Sequence, residues 1–85
     1  MRIGGIYEIV NTANGRRYIG SAVSFAARFA RHKRELACGR HHCVHLQRAW
    51  NKRGPEAFAF RPLMIVREPT ELRAWEQRYL DEFHP

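Results

Sequence analysis

Long hydrophobic runs and repeats are both missing from this 85-residue chain, which we expect to form one domain over residues 1–85. Its apolar runs fall far short of the roughly 20 residues that a membrane-spanning helix needs. The sequence therefore argues against a membrane protein. Met1 leads directly into a strand-like segment, so we expect no signal peptide and a cytoplasmic location.

Cysteine is also scarce, and its two residues, Cys38 and Cys43, flank a cluster with His41, His42 and His45. In a reducing compartment we expect no structural disulfide. Cysteine and histidine are preferred zinc ligands, but no Cys-x-x-Cys pair occurs. Two interpretations stay open: a structural zinc, or a small buried thiol at Cys43 beside histidines that face phosphate.

Acidic residues are few, eight against fifteen lysines and arginines, which gives a net charge of +7. A basic surface attracts polyanions, because each phosphate contact releases condensed counterions. We therefore expect a nucleic acid as the partner, with acidic membrane surfaces as the rival. We also expect no small-molecule cofactor and a monomer in solution.

A hairpin is predicted near the N-terminus, with strands over Gly5 to Val10 and Arg16 to Ser21. Asn14-Gly15 favours a tight turn between them, because both residues tolerate positive φ. In that register Asn11 pairs with Tyr18. Because side chains alternate between faces, one face of the hairpin carries Tyr7, Ile9, Asn11, Tyr18 and Gly20.

The next element is a helix that Ser24 can cap and that runs to about Ala37, with Gly39 past its end. Its apolar stripe also contains His32, and Arg28 lies at the flank of the stripe, one turn before. A lone histidine or arginine in such a place has a structural role more often than a catalytic one.

Three further elements complete an α+β pattern of order β-β-α-α-β-α. A second helix is predicted from roughly His42 to Lys52, a third strand over Ala57 to Val66, and a last helix from about Glu71 to Phe83. Pro62 cannot donate to a ladder, so the third strand is expected at a sheet edge or interrupted there. The pattern predicts a small antiparallel sheet packed by helices.

The last helix carries a carboxylate on its apolar face. Glu76 projects near the middle of the face formed by Leu72, Trp75, Tyr79, Leu80 and Phe83. An unpaired buried carboxylate is costly, so it needs a cation or a proton. Two interpretations stay open: an ion pair with Arg28 or another arginine, and a ligand for Mg²⁺ or Mn²⁺.

Taken together, the two tyrosines, Arg28, His32 and Glu76 are the residue types that phosphodiester hydrolysis needs. They offer a base, a cation for the phosphate and a metal ligand. Moreover, Gly5-Ile6-Tyr7 followed, after about ten residues, by Tyr18-Ile19-Gly20 resembles the signature of the GIY-YIG nuclease superfamily. Downstream stretches look closest to phage-type intron-homing nuclease modules: Gly20-Ser21-Ala22, Arg31-His32, Leu46-Gln47-Arg48, Asn51-Lys52 and Gly54.

The resemblance spans about Ile3 to Phe83 and implies a three-stranded antiparallel sheet flanked by three helices. It also implies a metal-dependent DNA endonuclease with one Mg²⁺ or Mn²⁺ ion per site. By the same resemblance Glu76 would bind the metal and Arg28 the scissile phosphate. Tyr7 would be the general base, Tyr18 would position water or phosphate, and His32 would take the proton from Tyr7.

Substrate contacts are predicted around this centre. Gly20 has no side chain and would leave room for a phosphate, and His41 falls where similar modules carry a histidine near the substrate, with His42 as the alternative. Candidates for contacts to the DNA backbone are Arg31, Lys33, Arg34, Arg40, Arg48, Lys52 and Arg53.

One departure from the family pattern is at the C-terminus. Family members usually continue to an asparagine beyond the third helix, whereas this chain ends at His84-Pro85. The chain would then be a fragment of a larger protein, or its site would be incomplete. A DNA-binding module of the same fold that does not cut is the main alternative function, and a protein-interaction domain is the second.

Overall fold

A computed structural model describes residues 3–83 and contains three strands and three α-helices in the order β-β-α-α-β-α. The strands are β1 (Gly5–Asn11), β2 (Arg17–Ala22) and β3 (Phe58–Ile65), and the helices are α1 (Phe25–Ala37), α2 (Val44–Arg53) and α3 (Leu72–Phe83). The predicted α+β class and element order are confirmed. No helix in this part of the chain is long and apolar enough to span a membrane. His84-Pro85, on which one expectation depended, lies outside the described residues.

The sheet is antiparallel, with β1 in the centre and β3 at one edge. Pro62 lies in β3 opposite Tyr7, and the pairing shifts by one residue between Tyr7 and Ile6. Both parts of the prediction for this proline are therefore confirmed. The edge position suits a residue without a backbone donor, and the bulge beside it interrupts the ladder.

The hairpin between β1 and β2 has a longer loop than predicted. The backbone N–H of Asn11 donates to Arg16 O at 2.8 Å, which encloses the four residues Thr12–Gly15. The Asn11 side chain accepts from the Ala13 N–H at 3.0 Å, and this Asx turn stabilises the longer loop. The predicted pairing of Asn11 with Tyr18 was thus wrong by two residues. Because side chains alternate with a period of two, the predicted face is nevertheless correct.

Helices cover both faces of the sheet and create two separate cores. The face of Tyr7 and Ile9 packs with Phe25 and Leu36 of α1 and Leu46 of α2. The opposite face packs against α3 and includes Ile6, Ile19, Val66 and Leu72. The two predicted tyrosines therefore lie on the α1–α2 side, whereas Glu76 belongs to the helix on the other side.

The end of α1 turns the chain back toward its own helix. Gly39 has a φ of 73°, and its N–H donates to Leu36 O at 3.2 Å while the Arg40 N–H donates to Glu35 O at 2.9 Å. These two bonds form a Schellman motif, for which glycine is favoured at the left-handed position. The motif redirects the chain so that His41 returns to contact α1.

One buried carboxylate was not anticipated from the sequence. Glu8 is 6% exposed on the β1 face that α3 covers, and its Oε1 lies 3.3 Å from Arg17 Nη1. The same guanidinium lies 4.6 Å from the centre of the Phe83 ring. Arg17 therefore joins the sheet to the end of α3.

Candidate active site

Tyr7 lies at the centre of the candidate site. It is 1% exposed, and its ring covers Gly20, its partner across the β1–β2 ladder. A Cβ at Gly20 would overlap the Tyr7 hydroxyl and ring. The sequence suggested open space for a phosphate here, whereas the Tyr7 ring fills that space. Glycine is required at this position because the tyrosine must lie against β2.

Gly20→Ala is therefore expected to destabilise the fold by about 1–3 kcal/mol, the usual cost of inserting a methyl group into a filled space. Urea unfolding measures this change. The same substitution in a Tyr7→Ala background should cost clearly less, because the atoms that clash are gone. An equal cost in both backgrounds would contradict the packing of Tyr7 on Gly20.

Two histidines form a hydrogen-bonded line behind Tyr7. The Tyr7 hydroxyl lies 2.5 Å from His32 Nε2, and His32 Nδ1 lies 2.7 Å from His41 Nε2. His41 Nδ1 accepts from the backbone N–H of Cys43 at 3.0 Å. His32 is 3% exposed and His41 is 6% exposed. The line therefore runs through the interior, from a backbone amide to the tyrosine hydroxyl.

His41 and His42 have different environments from those that the sequence suggested. His41 was placed among the substrate contacts, but it is buried and lies edge to edge with His32, with ring planes 27° apart and centroids 4.9 Å apart. His42 is exposed, and its Nε2 lies 3.1 Å from the Tyr18 hydroxyl. Of the two alternatives, His42 is thus the one that can meet a substrate.

Gln47 is a buried residue that the sequence analysis did not single out. Its Oε1 accepts from the His41 N–H at 3.0 Å, and its Nε2 donates to Leu36 O and Asn51 Oδ1, each at 2.9 Å. One side chain thereby joins the end of α1, the histidine segment and α2. The sequence feature that could have identified Gln47 is its position next to Leu46 in the Leu46-Gln47-Arg48 stretch, which resembles homing nuclease modules.

Burial is the main cause of the pKa shifts of His32, His41 and Tyr7. Burial, with help from the charges of His41 and Arg28, lowers the pKa of His32 to about 4. Burial is also the main cause of a lowered pKa at His41. Both imidazoles are therefore neutral at pH 7. Burial raises the pKa of Tyr7, and Tyr18 acts in the same direction, while Arg28 opposes them. The protein by itself therefore favours the neutral phenol of Tyr7.

The depressed pKa of His32 predicts a pH-dependent stability. The unfolded chain binds a proton near pH 6.5, whereas folded His32 binds one only near pH 4. The contribution of neutral His32 to the free energy of unfolding is therefore fully present above pH 6.5. It is lost as the pH falls from 6.5 to 4, by up to about 3 kcal/mol. Urea unfolding across this range should show the loss, and His32→Gln should reduce it. His45→Asn, at an exposed histidine, is the control; an equal reduction there would contradict the assignment.

Arg28 and Glu76 complete the set that the sequence predicted. The ion pairs formed within residues 3–83 include neither of them, so an ion pair between them is not the explanation for the inward acid. Glu76 is half-buried and its Oε1 accepts from Ser21 Oγ at 2.5 Å. The charge of Arg28 lowers the pKa values of Tyr7 and Tyr18, and that of Glu76 raises them. Both charges therefore lie near the two hydroxyls.

Two places in the structure offer ligands for a metal ion: a cluster of three side chains and the single carboxylate of Glu76. His32, Glu35 and His41 present atoms within 4.8 Å of one another. However, their imidazoles are already bonded to each other, and nitrogen ligands suit transition metals better than Mg²⁺. Glu76 offers carboxylate oxygens, which Mg²⁺ and Mn²⁺ prefer. Cys38 and Cys43 are free thiols, and no cysteine–histidine metal cluster forms among the described residues.

The predicted DNA-contacting cations differ in their surroundings. Arg31 Nε lies 3.4 Å from Glu35 Oε2, and Lys33 Nζ lies 5.0 Å from the centre of the Phe60 ring. The remaining predicted cations are exposed, and they are Arg34, Arg40, Arg48, Lys52 and Arg53. Arg31 and Lys33 are exposed as well, so all seven side chains lie at the surface.

Comparisons with known proteins support the same interpretation. A family profile described as the GIY-YIG catalytic domain matches residues 3–85. Intron-associated endonuclease 1 of Enterobacteria phage T4 is 48% identical over 50 residues, which are 59% of this chain and 20% of that protein. The aligned segment thus spans about a fifth of the length of this curated relative.

Two solved structures are also similar. The catalytic domain of the homing endonuclease I-TevI superposes with a TM-score of 0.89 at 34% identity, covering 95% of this chain and 88% of that one. A mutant of the same catalytic domain gives a TM-score of 0.90 at 34% identity, with coverages of 96% and 84%.

Proposed function

This chain belongs to the GIY-YIG endonuclease family, and we propose that it is a metal-dependent DNA endonuclease domain with Tyr7 as its general base. The observation that carries the proposal is that the charges of Arg28 in α1 and Glu76 in α3 both act on the hydroxyl of Tyr7 in β1. A packing role for the tyrosine would require neither the arginine without an acid partner nor the inward carboxylate.

In the proposed reaction the Tyr7 oxygen takes a proton from the attacking water, which then adds to phosphorus as the bond to the leaving oxygen breaks. The guanidinium of Arg28 would contact the scissile phosphate and balance the charge that develops there. Tyr18, with His42 bonded to its hydroxyl, would position the water or the phosphate. The chemistry that Tyr7 performs is general-base catalysis.

Glu76 would hold a single Mg²⁺ or Mn²⁺ ion, because its oxygens are of the preferred type and lie near the tyrosines. The Ser21 hydroxyl orients this carboxylate through Oε1. When bound, the ion would stabilise negative charge on the phosphate. Location in the cytoplasm, a monomeric state and nicking of one strand per binding event are further parts of the proposal.

The test is a nicking assay on supercoiled plasmid with Mg²⁺, Mn²⁺ or chelator, comparing wild type with Arg28→Ala. We expect nicked circles only with metal and only for the wild type. Both proteins are purified in the same way, so that a contaminating nuclease would appear in both. DNA binding without cutting under any metal would overturn the proposal in favour of a non-cleaving module. Cutting that persists in Arg28→Ala would point to a contaminating nuclease.

A further inference from the structure

The backbone N–H of Cys43 is the fixed point of the histidine line. It lies 3.0 Å from His41 Nδ1, and an amide N–H can only donate. His41 Nδ1 must therefore be the unprotonated, accepting nitrogen. A neutral imidazole carries a single proton, so that of His41 belongs on Nε2.

This assignment propagates along the line. The His41 Nε2 proton points into the 2.7 Å contact with His32 Nδ1, which must then accept it. The proton of His32 is left on Nε2, 2.5 Å from the Tyr7 oxygen. The reverse polarity would place a proton on His41 Nδ1, directly against the amide proton of Cys43. The two rings are close to coplanar, 27° apart, as an in-plane N–H···N hydrogen bond needs, and the Gln47 bond to the His41 backbone holds His41 in place.

We infer that His41 is a positioning residue: anchored by the Cys43 amide, it fixes the tautomer in which His32 donates its Nε2 proton to the Tyr7 oxygen. The catalytic half of this inference rests on the proposed function, whereas the tautomers do not. His32 then stabilises the phenolate of Tyr7 as a hydrogen-bond donor. It does not remove the phenolic proton, the role that family resemblance alone would give it.

Proton bookkeeping is complete in this scheme. Tyr7 loses its phenolic proton to solvent before attack and gains one from the attacking water as the P–O bond to the leaving oxygen breaks. The leaving oxygen takes a proton from solvent. Both imidazoles keep their protons throughout. The charged or titratable groups that bear on Tyr7 and His32 are Tyr18 of β2, Arg28 and Glu35 of α1, His41 and His42 after α1, and Glu76 of α3.

The first test is spectroscopic and needs neither DNA nor metal. Long-range ¹H–¹⁵N correlation spectra of the ¹⁵N-labelled protein at neutral pH separate protonated from unprotonated ring nitrogens. We expect Nε2–H tautomers for both His32 and His41, with resonances assigned through His32→Gln and His41→Gln. A proton on Nδ1 of either residue, or a charged His32, would overturn the inference.

A matched pair of variants tests the consequence for catalysis. His41→Gln keeps an N–H donor toward His32, whereas His41→Phe keeps a ring without a donor. We expect His41→Phe to reduce single-turnover cleavage at neutral pH roughly ten- to hundredfold, the effect of losing a hydrogen bond that supports a charged group. The loss should shrink as the pH rises, and His41→Gln should restore most of the activity.

Other outcomes separate this inference from the proposed function. An exposed-site control, His45→Phe, should keep the wild-type pH profile. An equal loss at all pH values in His41→Phe and His41→Gln would mean a structural role only and would overturn the inference. Reversed tautomers in an enzyme that cleaves would do the same while the function stands. Predicted tautomers in a protein that never cleaves would instead refute the function.

Discussion

Glu76→Gln is expected to reduce metal-dependent cleavage at least about a thousandfold, because a catalytic ion contributes several kcal/mol to transition-state stabilisation. The amide oxygen of the variant can still accept from Ser21, so the fold should be unchanged. DNA binding in the absence of metal should persist or tighten, since the substitution removes one negative charge. Single-turnover nicking, DNA affinity in chelator and Mn²⁺ binding by electron paramagnetic resonance measure the three expectations.

Two glutamates serve as controls for this prediction. Glu82→Gln, at an exposed position of the same helix, should behave as the wild type. Glu35→Gln alters the cluster that Glu35 forms with His32 and His41, which also offers metal ligands. If Glu35→Gln loses Mn²⁺ binding and cleavage while Glu76→Gln keeps both, the ion binds among the histidines and the assignment to Glu76 is wrong.

Tyr7→Phe is expected to lower the rate of single-turnover cleavage roughly 10²- to 10⁴-fold, the range for removal of a general base. The ring of phenylalanine still fills the space over Gly20, but the buried His32 nitrogen loses its hydrogen-bond partner, so we expect a loss of stability of about 1–3 kcal/mol. DNA affinity should change little, because Tyr7 is 1% exposed and offers little surface to a bound duplex.

Tyr18→Phe provides the matched comparison. Its hydroxyl bonds to the exposed His42 at 3.1 Å, which fits a positioning role and predicts a smaller loss, roughly tenfold. Rates measured side by side at saturating protein decide between the two tyrosines. A larger loss for Tyr18→Phe than for Tyr7→Phe would reassign the base to Tyr18.

The sequence predicted those features that depend on local pattern. Strand faces follow from a period of two, and for this reason an error of two residues in the hairpin register left Tyr7, Tyr18 and Gly20 on their predicted face. The helix from Phe25 to Ala37 was likewise readable, because Ser24 and Gly39 mark its two ends.

Features that depend on distant neighbours were missed or misassigned. Ser21 bonds to a residue 55 positions away in the chain, so no local pattern could assign it to Glu76. The burial of His41 follows from the turn after α1 together with the amide of Gln47, and neither has a periodic signal. The raised pKa of Tyr7 could not be predicted from the sequence, because desolvation depends on how completely the surrounding elements enclose the ring.

Placing Glu76 on the opposite side of the sheet from the tyrosines has a consequence for partial unfolding. Of the residues in α3, Leu72 alone reaches full burial, whereas α1 buries three residues. Segments with few buried contacts open at lower free energy than the rest of a fold. Transient detachment of α3 would therefore withdraw the acid while the tyrosine and histidine side stays intact. The cleavage rate should decrease reversibly at urea concentrations too low to change the spectroscopic signal of the Tyr7 ring. Amide hydrogen exchange in α3 should show the same dependence on urea concentration.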